Sequence, residues 1–268
     1  MPWQIPILAY HSILKNEHDP LPPGWSPPDT VPYPRFLDQL DQLKMDGWRG
    51  ISPAGLNEQA IRNSRQKCAL ITFDDGHASD LLAAQALAAR GFTATFFVPW
   101  SSIGREHFLD LNGVNELSRS GFTIGSHGLS HCRLTDLDPD AIRRELSESK
   151  SRLEDLLGRT VADLAVPFGR YDRRVIKAAL EVGYSRVMTS DVSRATIGPG
   201  RKVFPRVPVK SSTNSADFSM LIEGSAFMVM RQRVSVAVRR RIQTHFGGYQ
   251  GPSITPRKAI TAGKPIGS

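Results

Sequence analysis

A chain of 268 residues, 40% apolar and 22% charged, is long enough to bury the core of one large α/β domain. No apolar run approaches the roughly 18–20 residues of a transmembrane helix. The opening residues, MPWQIPILAYHSI, show neither a basic leader nor a small-residue cleavage site, so the expected compartment is the cytoplasm. The net charge of +8 equals the eight cations of residues 225–268 (Arg231, Arg233, Arg239, Arg240, Arg241, Arg257, Lys258 and Lys264), a stretch without Asp or Glu. The body is therefore charge-balanced, and no nucleic-acid partner is expected. Cys68 and Cys132 read as reduced, small buried residues.

Taken in chain order, a first strand is expected at 5–11 (IPILAYH). Residues 12–34, rich in proline, are too long for a plain connection and read as a lid or rim element, or else as disordered. A helix over 34–47 places Phe36, Leu40 and Leu43 on one face. Strand 68–74 (CALITFD) precedes a helix over 80–91, and strands follow at 93–99 (TATFFVP) and 122–127 (FTIGSH). A helix over 138–158 opens with Asp138 before Pro139 and stops at Gly158. Strand 163–168 (DLAVPF), a helix over 172–183 from Asp172 and strand 184–190 (YSRVMTS) complete the series. Strands alternating with helices predict a mainly parallel sheet, closed or nearly closed as a (β/α) barrel. The domain boundary is set at 1–224 for this barrel, with 225–268 as a basic extension.

Reactive residues recur where the strands end: His11, the pair Asp74 and Asp75, and His127. In a (β/α) barrel those ends converge on one face, and active sites are built there. The segment SHGLSH sets His127 and His131 four residues apart, a spacing that one helical turn would bring to one side. With a carboxylate from the Asp74–Asp75 pair as third ligand, the set suits Zn²⁺ and leaves a position open for water; iron, cobalt or nickel would accept it too. One carboxylate would then bind the cation while the other handles a proton, and the cation would relieve the repulsion between the two.

TFDDG (72–76), SHGLSH (126–131) and AVPFGRYD (165–172), in this order, resemble the first three motifs of the polysaccharide deacetylases, the NodB-homology or carbohydrate esterase family 4 group. The resemblance spans roughly residues 5–210 and implies a distorted (β/α)7 barrel that hydrolyses the N-acetyl group of an amino sugar. It implies Asp75, His127 and His131 as metal ligands and Asp74 as catalytic base. Two departures stand out. Ala165 occupies the place of the motif arginine that orients the base, and the late Leu-x-His motif that supplies the general acid is absent. Both match the branch similar to exopolysaccharide poly-N-acetylglucosamine deacetylases, in which the first strand supplies the acid, here His11. Arg206 in FPRVPV is the candidate replacement for the missing arginine, and the backbone N–H of Phe168, after Pro167, would complete an oxyanion hole.

Among the remaining candidates, Trp100 and Tyr171 are placed at the rim to stack on sugar faces, and Asp191 ends a strand within reach of substrate. His77 reads as a first-turn helix residue, with a supporting role behind the metal ligands as the alternative. In the tail, Phe227, Met230, Val234, Val238 and Ile242 share one helical stripe flanked by arginines. Such a helix either packs on the barrel or lies on an anionic membrane through residues 225–246, and the rest of the tail is expected to be disordered. The expected function is metal-dependent deacetylation of an N-acetylated carbohydrate. The rival readings are deacylation of a small lipid- or nucleotide-linked substrate and a non-catalytic carbohydrate-binding barrel.

Overall fold

The computed structural model describes residues 3–16, 18–23, 25–56, 66–227, 229–232 and 234. Seven parallel strands pair in chain order: β1 (Ile7–Tyr10), β2 (Lys67–Phe73), β3 (Thr95–Val98), β4 (Thr123–Ser126), β5 (Asp163–Ala165), β6 (Arg186–Val192) and β7 (Val203–Pro208). The ring closes because β7 pairs with β1 (Val207 opposite Leu8) and β1 pairs with β2 (Ile7 opposite Leu70 through Tyr10 opposite Phe73). This is the distorted (β/α)7 barrel that the family resemblance implies, with the closed parallel sheet expected from the alternating pattern. The strands read as apolar runs because both faces are covered. Every residue of β1 and β3 is buried.

Among the described residues six α-helices wrap the barrel: α1 (Tyr33–Met45), α2 (Asp80–Arg90), α3 (Leu111–Arg119), α4 (Pro139–Leu157), α5 (Arg173–Val182) and α6 (Ser215–Glu223). Their ends follow local chemistry. The side chains of Asp110, Asp138, Asp172 and Asn214 accept first-turn N–H groups, and α2, α4, α5 and α6 each stop at a left-handed glycine. Leu40, Leu87, Val114, Leu146, Val175 and Leu221 face the barrel wall from these helices. The barrel lumen is filled separately by Ile7, Cys68, Leu70, Phe97, Ala165, Met188 and Phe204. Ile5 joins them from a short strand, Trp3–Ile5, paired antiparallel with Ala195–Ile197 at the amino-terminal end.

Several expectations are corrected. Strand β7 and helices α3 and α6 were not expected: two prolines interrupt VFPRVP, and α3 and α6 are only nine residues long. The proline-rich stretch is partly ordered, since Ser12–Leu14 pairs in parallel with Thr30–Pro32 and their hydroxyls meet at 2.8 Å between Ser12 and Thr30. Cys68 is buried, whereas Cys132 is only partly so; neither forms a disulfide. Among the described residues no helix is long and apolar enough to cross a membrane. Val238, Ile242 and the rest of the tail beyond 234 lie outside the described residues. The described part of the tail stripe does not pack on the barrel: Phe227, Met230 and Val234 are exposed, while Gln232 reaches the carbonyl of Pro208 at 2.9 Å.

Candidate active site and metal centre

Strand alternation builds the site. Along β2, Cys68 and Leu70 point into the lumen, so by the period of two Thr72 and then Asp74 follow them. On β7 the same count carries Phe204 to Arg206. The two meet: Nη1 of Arg206 donates to Oδ1 of Asp74 at 2.7 Å and Nη2 to Oδ2 at 2.6 Å. Arg206 also donates to the carbonyl of Thr189 and to Oγ1 of Thr72, and both partners of the pair are almost fully buried. Burial pushes the Asp74 carboxyl up, but the charges of Arg206, His127 and His11 hold it below the ordinary carboxylate value.

A continued strand would send Asp75 to the opposite face. Instead Asp75 adopts φ 77°, followed by Gly76 at φ 68°, and the left-handed turn redirects the second carboxylate. Its Oδ1 lies 3.1 Å from Nε2 of His131 and 3.4 Å from Nε2 of His127. One ligand atom from each of Asp75, His127 and His131 falls within a 4.8 Å span. His127 donates from Nδ1 to the carbonyl of Ala165 at 2.8 Å, because a carbonyl can only accept. That bond leaves Nε2 as the ring nitrogen facing Asp75 and free to serve as a metal ligand. Burial opposes ionisation of Asp75, yet the two imidazoles keep its carboxyl well below the usual range. One carboxylate and two imidazole nitrogens, once the imidazoles are deprotonated, form a donor set that fits a divalent ion.

The pair of histidines is not helical, contrary to the four-residue spacing. His127 follows β4, Gly128 turns at φ 80° and His131 itself stands at φ 56°. The loop is braced from α4, a contact that no sequence pattern signals. Glu145 accepts from the N–H of Leu129 at 3.1 Å and of Ser130 at 2.9 Å, and Ser149 donates to the carbonyl of Gly128 at 2.9 Å. From the other side the N–H of Trp100 donates to that same carbonyl at 3.2 Å. The Trp100 ring packs against the core with the guanidinium of Arg152 at 5.7 Å, so its clearest contact here is structural rather than a free rim platform.

His11 follows β1; its charge acts on the carboxyls of both Asp74 and Asp29, and its Nδ1 is buried without a partner among the described residues. Phe168, in the turn Pro167–Gly169, stands at φ 58° with its ring 4.8 Å from that of His131. Gly169 is required there, because a Cβ would lie 2.0 Å from Oγ of Ser190. Tyr171 is exposed and donates from its hydroxyl to Asp191 at 2.5 Å. His77 is not in a helix: it precedes α2, is bridged to Phe108 and points Nε2 at Oδ2 of Asp75 from 3.6 Å.

Residues 61–187 match the family model described as polysaccharide deacetylase. Within these residues the chain is similar to the polysaccharide deacetylases. Over 225 residues it is 29% identical to YxkH of Bacillus subtilis (strain 168), a protein named for the polysaccharide deacetylases, covering 83% of this chain and 77% of that one. The fold is shared with the Streptococcus pyogenes deacetylase PplD, with a TM-score of 0.73 at 24% identity over 83% of this chain and 99% of the other. It is also shared with IcaB from Ammonifex degensii, with a TM-score of 0.66 at 22% identity over 82% and 96% of the two chains. All three aspartate–histidine positions of the candidate metal centre lie within the matched stretch. His11 and Arg206 lie outside it and come from the first and last barrel strands, which close against each other.

Proposed function

We propose that this chain is a metal-dependent hydrolase that removes the N-acetyl group from an amino sugar in a polysaccharide or glycan precursor. The observation that carries the reading is the convergence of Asp75, His127 and His131 beside the buried Asp74–Arg206 pair. The name of YxkH supports a carbohydrate substrate. The donor set favours Zn²⁺, with iron, cobalt and nickel as ions the same ligands accept. A divalent cation bound there would lower the pKa of water toward about 7 and polarise the acetyl carbonyl.

The chain's own residues supply the rest. Arg206 keeps Asp74 ionised and fixes its plane, so that Asp74 takes the proton of the attacking water as the C–O bond forms. The N–H of Phe168 donates to the carbonyl oxygen as negative charge builds on it. His11 gives its proton to the amide nitrogen as the C–N bond breaks, and the products are acetate and a free amine. Deacylation of a small lipid- or nucleotide-linked amino sugar would use the same residues. A purely binding barrel would need neither the Asp74–Arg206 pair nor His11, and their retention favours turnover.

Acetate release from N-acetylglucosamine oligomers, measured with and without chelator, tests the reading. Release that stops with chelator and returns with Zn²⁺ is expected; no release from any acetylated amino sugar, polymeric or small, would overturn it. A second property is favoured by the exposed tail stripe. Phe227, Met230 and Val234, set among the arginines of the extension, support contact with anionic lipid. Co-sedimentation with phosphatidylglycerol vesicles, but not with phosphatidylcholine vesicles, is the expected outcome, lost on truncation after residue 224.

A further inference from the structure

The two oxygens of Asp75 face different partners. Oδ1 faces the imidazoles of His127 and His131, whereas Oδ2 faces Nε2 of His77. His77 is not one of the three groups whose ligand atoms converge. Its ring is held in an aromatic slot, stacked on Phe108 at 5.0 Å and 22° and met edge-on by Trp25 at 4.7 Å. The backbone fixes the slot as well, through bonds from Ala78 N–H to the carbonyl of His107 and from Leu109 N–H to that of Gly76, both 2.9 Å. The side chain is 5% exposed. Its Nδ1 is buried with no partner among the described residues. Nδ1 faces no acceptor, so Nε2 is the ring nitrogen turned toward one, a carboxylate oxygen of Asp75.

From this arrangement, and resting on the metal-dependent reading above, we infer that His77 is a positioning residue that holds Oδ2 of Asp75 and makes Asp75 a one-oxygen ligand. A carboxylate whose second oxygen is free can swing to bind a cation through both atoms. That would occupy a coordination position needed for water or for the acetyl carbonyl. At 3.6 Å the pair is within ion-pair range and outside hydrogen-bond length, so a direct N–H bond to Oδ2 is part of the inference. Partners of this kind orient metal ligands, and their removal costs about 10–100-fold in metal affinity.

The experiment compares the full chain with His77→Phe, which can fill the aromatic slot but has no donor, and with His77→Gln, which restores an N–H. Zn²⁺ affinity is read by chelator competition, and coordination by the visible absorption of the Co²⁺-substituted protein. We expect His77→Phe to bind Zn²⁺ about 10–100-fold more weakly, with weaker Co²⁺ absorption as coordination number rises, and His77→Gln to recover most of both. Equal affinity and an unchanged spectrum in His77→Phe would overturn the inference while leaving the metal site intact. Equal losses in the two variants would also overturn it, since only slot packing would then be at stake. A wild-type chain that binds neither ion would instead defeat the metal-dependent reading itself.

Discussion

Replacing Arg206 by Met keeps an apolar stem in the lumen but removes both hydrogen bonds to Asp74, leaving a carboxylate that is 3% exposed with no cation opposite it. Breaking a buried pair by removing one member costs about 3–5 kcal/mol. The Coulomb term agrees in scale, at about 4 kcal/mol for unit charges 4 Å apart in an effective dielectric of about 20. In the wild type the folded-state pKa of Asp74 is lowered, so its stabilising contribution is present above the unfolded value and is lost as pH falls through the folded value. In Arg206→Met burial is less opposed, the carboxyl moves up, and the deficit is greatest near neutrality and shrinks toward about pH 4. Urea unfolding of the chelated proteins at the two pH values, for both single variants (Arg206→Met and Asp74→Asn) and the double variant, measures the coupling. The acid limb of kcat/KM should shift to higher pH in Arg206→Met. A pH-independent loss below about 1 kcal/mol with additive single effects would refute the ionic pairing.

Asp74→Asn should retain bound metal yet lose acetate release, as metal analysis and turnover on one sample would show. His11→Ala should lower kcat by about 10²–10⁴-fold with unfolding and Zn²⁺ affinity unchanged; an unaltered rate would remove it as the acid. Glu145→Ala leaves the N–H groups of Leu129 and Ser130 without their acceptor, so Zn²⁺ affinity should fall, while circular dichroism reports an intact barrel. Asp80 is fully buried with neither oxygen bonded among the described residues, and burial, then the charges of Asp75 and Asp74, keep its carboxyl well above the usual range. A raised carboxyl costs stability as pH rises above the unfolded value. Asp80→Asn should therefore raise Tm of the chelated protein near neutrality more than at about pH 4.

Much of the fold was legible because its signals are local. Apolar runs ending in His or Asp marked β1, β2 and β4, and cap residues such as Asp138 and Asp172 fixed the starts of α4 and α5. Strand β7 escaped because prolines in VFPRVP argue against a central strand, yet only the side chain of Arg206 on it completes the Asp74 pair. The family motifs named the candidate ligand residues but not their geometry. The spacing of His127 and His131 suggested a helical turn, whereas the structure uses a loop with positive φ at Gly128 and His131. What holds that loop, Glu145 and Ser149 on α4, is a tertiary contact that no sequence spacing encodes. His77 was read as the start of a helix because the turn at Asp75 and Gly76, which delays α2 to Asp80, depends on backbone conformation rather than on pattern.

The most direct measurement is a crystal soaked with Zn²⁺ and recorded at the zinc absorption edge. A single anomalous peak is expected about 2.0–2.2 Å from Oδ1 of Asp75 and Nε2 of His127 and His131, with Asp74 on Arg206 and off the ion. A peak bound elsewhere, or one that takes Asp74 as a ligand in place of Asp75, would contradict this assignment.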